Sequence, residues 1–187
     1  HLLAAIDEAI EIGRRSNVAV QISHLRVAEP SNWGDAARIA ERIDRARAEG
    51  IDVTFDCYPY TMGCTMLLTL LPAWAQEGGP DAILARLGDL ESQARMLAEM
   101  RAWQRDWSAY MLSNLPRTSL GDFEGLALPD AANSAHLDVP AFMLRLLRET
   151  ELNITMIAAG GNEADTAALF RHPAGMVCSD GILLGRH

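Results

Sequence analysis

Two short apolar runs separated by one amphipathic helix constrain the fold of this chain more than any other feature. Residues 18–24 (Val-Ala-Val-Gln-Ile-Ser-His) have the β-branched bias of a strand that is buried on both faces of a sheet. Residues 33–49 have apolar positions at helical spacing, with Ser31 or Asn32 as the expected cap. Residues 51–56 are a second predicted strand. A crossover of this length joins parallel strands, so the pattern predicts a parallel sheet.

The remaining sequence continues this alternation, with a mostly helical insertion at about 75–135. Further helices are predicted at 2–15, 80–107 and 138–149 and after a cap at Asn162, further strands at 153–159 and 175–180, an irregular stretch at 59–72 and a long loop at 113–138. The predicted fold class is therefore α/β, as a segment of a (β/α)8 barrel or as an open doubly wound sheet.

Composition excludes several classes of partner. The chain of 187 residues has a net charge of −9, which disfavours binding to nucleic acid or to an anionic membrane. No apolar run reaches the roughly 20 residues that a membrane-spanning helix needs. Three cysteines (Cys57, Cys64 and Cys178) do not form the pattern of a disulfide framework. We therefore expect a reducing compartment, the cytoplasm.

Two strand ends carry candidate reactive groups, because functional side chains collect at the carboxyl ends of parallel strands. The first predicted strand ends in Ser23-His24, and the last ends in Ser179-Asp180-Gly181. From position alone, His24 either binds a ligand or donates a hydrogen bond to a loop carbonyl. Asp180 either has a functional role or begins an ordinary Asp-Gly turn.

Other reactive residue types have simpler interpretations. Cys57 and Cys64 lack a recognisable activating base, so buried thiols are favoured over nucleophiles. Gly160-Gly161 precedes a helix and could bind an anion, but it lacks the pattern of a nucleotide loop. A stripe of Met96, Met100, Trp103 and Trp107 at helical spacing predicts core packing, since such stripes usually face a core.

Several ordered segments resemble the D-aminoacylase (N-acyl-D-amino-acid deacylase) branch of the amidohydrolase superfamily. They are residues 5–13 (Ala-Ile-Asp-Glu-Ala-Ile-Glu-Ile-Gly), 20–26 (Val-Gln-Ile-Ser-His-Leu-Arg), 32–34 (Asn-Trp-Gly), 50–54 (Gly-Ile-Asp-Val-Thr), 58–61 (Tyr-Pro-Tyr-Thr), 70–74 (Leu-Leu-Pro-Ala-Trp), 161–163 (Gly-Asn-Glu), 171–173 (Arg-His-Pro) and 176–184 (Met-Val-Cys-Ser-Asp-Gly-Ile-Leu-Leu). Each motif alone is weak, whereas the ordered set at these spacings is specific.

The resemblance implies that residues 1–187 are the C-terminal part of a distorted (β/α)8 barrel with a zinc centre of one or two ions at its mouth. It implies that His24 binds zinc and that Asp180 lies at the metal and acts as general base and then general acid. It places Tyr58 and Tyr60 near the substrate, with Tyr58 as the candidate contact. The implied reaction is hydrolysis of a small N-acyl-D-amino acid or a related amide to a carboxylate and a D-amino acid.

The chain also departs from the pattern of the family. Arg26 stands where a lysine is common, Cys178 where a glycine is common, and Ala158-Ala159 where bulkier or polar residues are common. These differences concern substrate preference more than the reaction. The family's HxH pair, its metal-binding cysteine and a further histidine would precede residue 1, and a carboxylate-binding arginine would follow His187. We therefore expect the isolated chain to be inactive and to bind zinc weakly or not at all.

Three other interpretations remain open at this point. The first is a dihydroorotase- or hydantoinase-like enzyme that opens cyclic amides with the same metal chemistry. The second is a metal-free barrel homologue without catalysis, which serves as a binding or structural module. The third is a nucleotide-binding doubly wound domain with its phosphate site at Gly160-Gly161.

Overall fold

The computed structural model describes residues 2–115 and 120–181, and it confirms the α/β class. The chain divides into two compact units. The parallel-sheet unit comprises His1–Met62 and Ala159–His187, and the helical unit comprises Gly63–Ala158. The last three residues of the final family motif, 182–184, lie outside the described residues. Among the described helices, none has the length and apolar character needed to cross a membrane.

The parallel-sheet unit is built on three strands with β2 at the centre. Its elements are α1 (Leu2–Ser16), β1 (Val20–Ile22), α2 (Ala36–Ala48), β2 (Val53–Cys57), α7 (Glu163–Phe170) and β6 (Gly175–Val177). The strand order is β1-β2-β6, and both pairings are parallel, with Ile22 opposite Phe55 and Cys57 opposite Val177. The predicted parallel crossover from β1 to β2 is confirmed.

The core of this unit lies between the sheet and its helices. Val53 and Phe55 of β2 and Ile39 and Ile43 of α2 are completely buried. The alternate positions of the strands carry polar groups, because successive side chains of a strand point to opposite faces. Gln21, Thr54 and Asp56 share that second face.

The predicted cap of the second helix is wrong. The helix begins at Ala36 rather than near residue 33, and Asn32 instead donates its side-chain amide to the Ala28 carbonyl at 2.8 Å. The cap is supplied from elsewhere in the chain. The buried carboxylate of Asp165, on α7, accepts the N–H groups of Gly34 at 2.8 Å and Ala36 at 3.2 Å. Asp165 thus links the start of α2 to α7.

The predicted cap of α7 is confirmed. The side-chain oxygen of Asn162 accepts the N–H of Asp165 at 2.9 Å, and its amide donates to the Asp165 carboxylate. Glu163 and Asp165 therefore lie in the first turn of the helix, where acidic groups suit the helix dipole.

The helical unit packs a second, separate core. Its elements are β3 (Met62–Met66), α3 (Gly79–Gly88), α4 (Leu90–Ala102), β4 (Tyr110–Ser113), α5 (Leu128–Ser134), α6 (Val139–Glu149) and β5 (Thr155–Ala159). Most of helix α6 is buried in this core. Met96 and Met100 of α4 are completely buried in the same core. The core interpretation of the methionine–tryptophan stripe is confirmed, since Trp103 and Trp107 also pack on it.

Several predicted elements of the helical unit are wrong in extent. The single helix at 80–107 is two helices, because Asp89 leaves the helical conformation and accepts the N–H of Ser92 at 2.8 Å as a new cap. The loop at 113–138 contains α5, and the irregular stretch at 59–72 contains β3.

The strand predicted at 153–159 forms, but in a different sheet from the one expected. Strand β5 pairs antiparallel with β4, with Tyr110 opposite Ala158, in a sheet of order β3-β5-β4. Its carboxyl end at Ala159 therefore does not continue the edge of the parallel sheet.

Replacing Asp165 by alanine is expected to destabilise the fold by about 2 kcal/mol, because the N–H of Gly34 in the turn before α2 and the N–H of Ala36 in its first turn both lose a charged acceptor. Burial would raise the pKa of this carboxyl, but hydrogen bonds from Gly34, Asn162 and Ala36 lower it overall. The contribution is therefore complete above about pH 4 and is lost as the pH falls through the folded-state pKa. Urea unfolding of Asp165→Ala at pH 7 and pH 3 measures both effects.

Glu163→Gln is the matched control, because Glu163 is an exposed acid in the same helical turn. It should change the unfolding free energy by less than about 0.5 kcal/mol. Equal effects of the two substitutions would contradict the assigned role of Asp165.

Candidate functional site

The carboxyl ends of the three parallel strands form the candidate site. Strands β1 and β6 both pair in parallel with β2, so their carboxyl ends lie along one edge of the sheet. His24 follows β1 by two residues, and Asp180 follows β6 by three. The structure therefore brings these two predicted site residues to the same edge, on either side of β2.

His24 stands at an abrupt turn that ends β1 earlier than predicted. Its backbone has a left-handed φ of 42°, a conformation that disfavours most side chains. Its N–H donates to Oδ1 of Asp56 at 2.6 Å. The side chain is exposed and lines an open cavity of about 270 Å³ with Ile22 and Arg26.

Asp180 repeats this backbone feature on the other side of β2. Its φ is 46°, and its side chain is exposed. Within residues 2–115 and 120–181, neither the Asp180 carboxylate nor the His24 imidazole has a hydrogen-bonding partner. Both groups are therefore available to a ligand.

Asp56 is the residue of this site that the sequence interpretation missed. Its Oδ1 accepts from the His24 N–H, and its Oδ2 accepts from the Gln21 side-chain amide at 3.0 Å. Burial would raise the pKa of Asp56, but these hydrogen bonds outweigh burial and lower it. The available signal was a carboxylate inside the alternating apolar pattern of residues 53–57.

The cysteines of this edge are not activated nucleophiles. Burial, and then the neighbouring Asp56 charge, raises the pKa of the Cys57 thiol. Burial, and then the neighbouring Asp56 carboxylate, likewise raises the pKa of the Cys178 thiol. A nucleophilic cysteine needs the opposite shift, so the interpretation of Cys57 as a buried thiol is supported.

Tyr58 lies beside an arginine rather than facing solvent. It is 7% exposed, and its hydroxyl accepts a hydrogen bond from the guanidinium of Arg26. The guanidinium carbon is 5.4 Å from the centre of the Tyr58 ring, and Nη2 donates to the Thr61 carbonyl at 3.3 Å. In the described part of the chain, Nε of Arg26 is buried without a partner. Tyr60, in contrast, is 61% exposed.

The glycine pair before α7 serves backbone packing. The N–H of Gly161 donates to the Thr61 carbonyl at 2.9 Å, and the Gly160 carbonyl accepts from the Trp33 indole at 2.9 Å. A Cβ on Gly161 would lie 3.1 Å from the Thr61 oxygen. Since the Gly161 amide is already used, this geometry disfavours the phosphate site that a nucleotide-binding domain would need.

The donor set for a metal is partial. Across the described residues, no group of three or more His, Cys, Asp or Glu side chains is arranged to hold a metal ion. His24 and Asp180 contribute one imidazole and one carboxylate at the shared edge. Both are ordinary ligands of zinc, but a closed site needs further donors.

Comparison with known proteins gives partial matches in sequence and a long match in structure. No family model matches the chain. N-acyl-D-glutamate deacylase of Alcaligenes xylosoxydans xylosoxydans is 46% identical over 65 residues, which is 35% of this chain and 13% of that protein. D-aminoacylase of the same organism is 42% identical over 67 residues, or 36% of this chain and 14% of that protein.

The structural match extends over most of the chain. The crystal structure of N-acyl-D-glutamate deacylase from Bordetella bronchiseptica matches with a TM-score of 0.67 and 26% identity, over 95% of this chain. That protein was crystallised with zinc and a phosphonate inhibitor, a mimic of the tetrahedral intermediate of its reaction. The resemblance to D-aminoacylases is confirmed. The chain spans 29% of the solved deacylase, so it resembles a part of a D-aminoacylase rather than a whole one.

The strain at His24 can be measured by substitution. His24→Gly is expected to be more stable than His24→Ala by about 1 kcal/mol, because glycine adopts the left-handed conformation without a steric cost. Urea unfolding compares the two variants, and both lack the imidazole. At the neighbouring Ser23, whose φ is not positive, the order should reverse. The same order at both positions would contradict the strained turn.

Proposed function

We propose that this chain is part of a zinc-dependent hydrolase that cleaves the amide bond of N-acyl-D-amino acids. The observation that carries the proposal is the match of 95% of the chain to a deacylase crystallised with zinc and a phosphonate. The three parallel strands then belong to a (β/α)8 barrel, and the edge that carries His24 and Asp180 belongs to its mouth.

The residues at this edge fit a zinc ion in their chemistry. His24 offers an exposed imidazole, and Asp180 offers an exposed carboxylate on the strand beyond β2. Neither group has a hydrogen-bonding partner among the described residues. In this proposal His24 and Asp180 are ligands, and the remaining donors come from outside this chain. Zinc lowers the pKa of a coordinated water and polarises an amide carbonyl.

Asp180 performs the proton transfers of the proposed reaction. Its carboxylate accepts the proton of the water that attacks the amide carbon. It then donates that proton to the nitrogen of the departing amine, so that a free amine leaves and the carboxylate is regenerated. One exposed carboxylate at the edge serves both steps.

Arg26 and Tyr58 are the proposed binding groups for the α-carboxylate of the substrate. A guanidinium is suited to a carboxylate because it presents several donors in one plane. Nε of Arg26 is buried, and it has no partner in the described part of the chain, which is costly until an acceptor reaches it. The Tyr58 hydroxyl accepts from Arg26, so its own proton remains available for donation.

The function is tested in the full-length protein that contains this chain. N-acetyl-D-glutamate and other N-acetyl-D-amino acids should be hydrolysed, their L-forms should not, and removal of zinc by a chelator should abolish the activity.

Asp180→Asn should lower kcat by roughly 100-fold or more, because the amide cannot accept the proton. Preferred opening of hydantoin or dihydroorotate would instead favour the cyclic-amide alternative. Unchanged hydrolysis by Asp180→Asn would contradict the mechanism.

The carboxylate contact predicts a separate kinetic effect. Tyr58→Phe and Arg26→Met should raise KM by roughly tenfold with a smaller effect on kcat, because the contact is present in both ground and transition states. Tyr60→Phe is the matched control, since Tyr60 is exposed and its hydroxyl makes no hydrogen bond to another described residue. A change in kcat alone would contradict this role, and so would an equal effect of Tyr60→Phe.

A further inference from the structure

Asp56 lies on β2, between the strands that lead to His24 and Asp180. It is not one of the two proposed zinc ligands. It follows Phe55 near the end of the central strand, on the same face as Thr54 and Gln21. Its two carboxylate oxygens receive hydrogen bonds from two different parts of the site. These donors belong to β1 and to the turn after β1.

The first connection holds His24. The N–H of His24 donates to Oδ1 of Asp56 at 2.6 Å, and the residue has a left-handed φ of 42°. A left-handed conformation is sterically unfavourable for a non-glycine residue. A charged acceptor offsets this cost, since hydrogen bonds to ionised groups are about twice as strong as neutral ones. The direction of the imidazole therefore depends on the Asp56 carboxylate.

The turn after β6 is held by the backbone of β2. The N–H of Cys178 donates to the Cys57 carbonyl at 3.0 Å, which continues the pairing of β6 with β2. Asp180 has a φ of 46°. The hydrogen bonds of the Asp56 carboxylate reach β1 and the turn that carries His24, so Asp56 holds that turn directly.

We propose that Asp56 is a positioning residue that holds the turn after β1 and so fixes the direction of the His24 imidazole. The inference rests on the proposed function in one respect, since it assumes that this imidazole binds zinc. Asp56 is assigned a positioning role because each of its oxygens is held by a hydrogen bond, Oδ1 by the His24 N–H and Oδ2 by the Gln21 amide. The Asp56 carboxylate must lie within hydrogen-bonding distance of the His24 N–H. The role is therefore sensitive to the length of the side chain as well as to its charge.

Side-chain length separates positioning from charge. In the full-length protein, Asp56→Glu keeps the charge but moves the carboxylate by one methylene, whereas Asp56→Asn keeps the length and one acceptor oxygen. Asp56→Ala and Asp56→Glu should both weaken zinc binding by roughly 10- to 100-fold and lower kcat to a similar extent, with KM little changed. Asp56→Asn should lie between these variants and the unsubstituted protein. Zinc affinity is measured by competition with a chelator.

Thr54→Val is the matched control. Thr54 lies on the same strand and face, and its hydroxyl donates to Gln21 but contacts neither turn. Thr54→Val should leave zinc affinity and kcat unchanged. Full zinc affinity in Asp56→Glu would overturn the inference, because charge alone would then suffice. An equal loss in Thr54→Val would also overturn it, because any change to this face would then act alike.

The outcomes also separate this inference from the proposed function. If the unsubstituted full-length protein binds no zinc, the proposed function fails and this inference fails with it. If zinc binds and is lost in His24→Ala but is retained in Asp56→Ala, the proposed function survives and the positioning role is overturned. Thermal unfolding of each variant identifies any loss that is due to misfolding. Asp56→Asn, which is the closest in shape, remains informative if Asp56→Ala does not fold.

Discussion

The parallel pairing of β2 with strands on both of its sides is the constraint on which the candidate site depends. Val53 and Phe55 are completely buried and fix one face of the strand against the helices. The strand period then forces Asp56 onto the opposite face. Because β1 and β6 run in the same direction as β2, the turns that follow them reach one edge. The register of these three strands therefore determines both the sheet and the positions of the candidate site residues.

The sequence predicted those elements whose signals are local. The strand–helix–strand unit, the cap of α7 at Asn162 and helix α6 all have periodic apolar residues or a capping side chain nearby. The sequence failed where a distant residue decides the structure. The start of α2 is set by Asp165, which is remote in sequence, so the local candidates Ser31 and Asn32 were misleading. The sequence interpretation assigned strand β5 to the wrong sheet, because the pairing of two strands is not a local property.

The candidate site was predictable in its position but not in its internal connections. Strand-end reasoning identified His24 and Asp180, since the ends of parallel strands share an edge. The left-handed backbone of both residues and the hydrogen bond from His24 to Asp56 depend on contacts that only the folded chain makes. Arg26 stands in a motif that the family resemblance had marked, yet its contact with Tyr58 is a tertiary one.

The central claim is that His24 and Asp180 bind the same catalytic zinc. Anomalous diffraction at the zinc edge, from crystals of the full-length protein with a phosphonate analogue of an N-acyl-D-amino acid, tests it most directly. The account predicts a zinc peak about 2.0–2.1 Å from a His24 ring nitrogen and about 2.0–2.2 Å from an Asp180 oxygen. A zinc peak elsewhere, or an inhibitor bound with neither side chain on a metal, would contradict it.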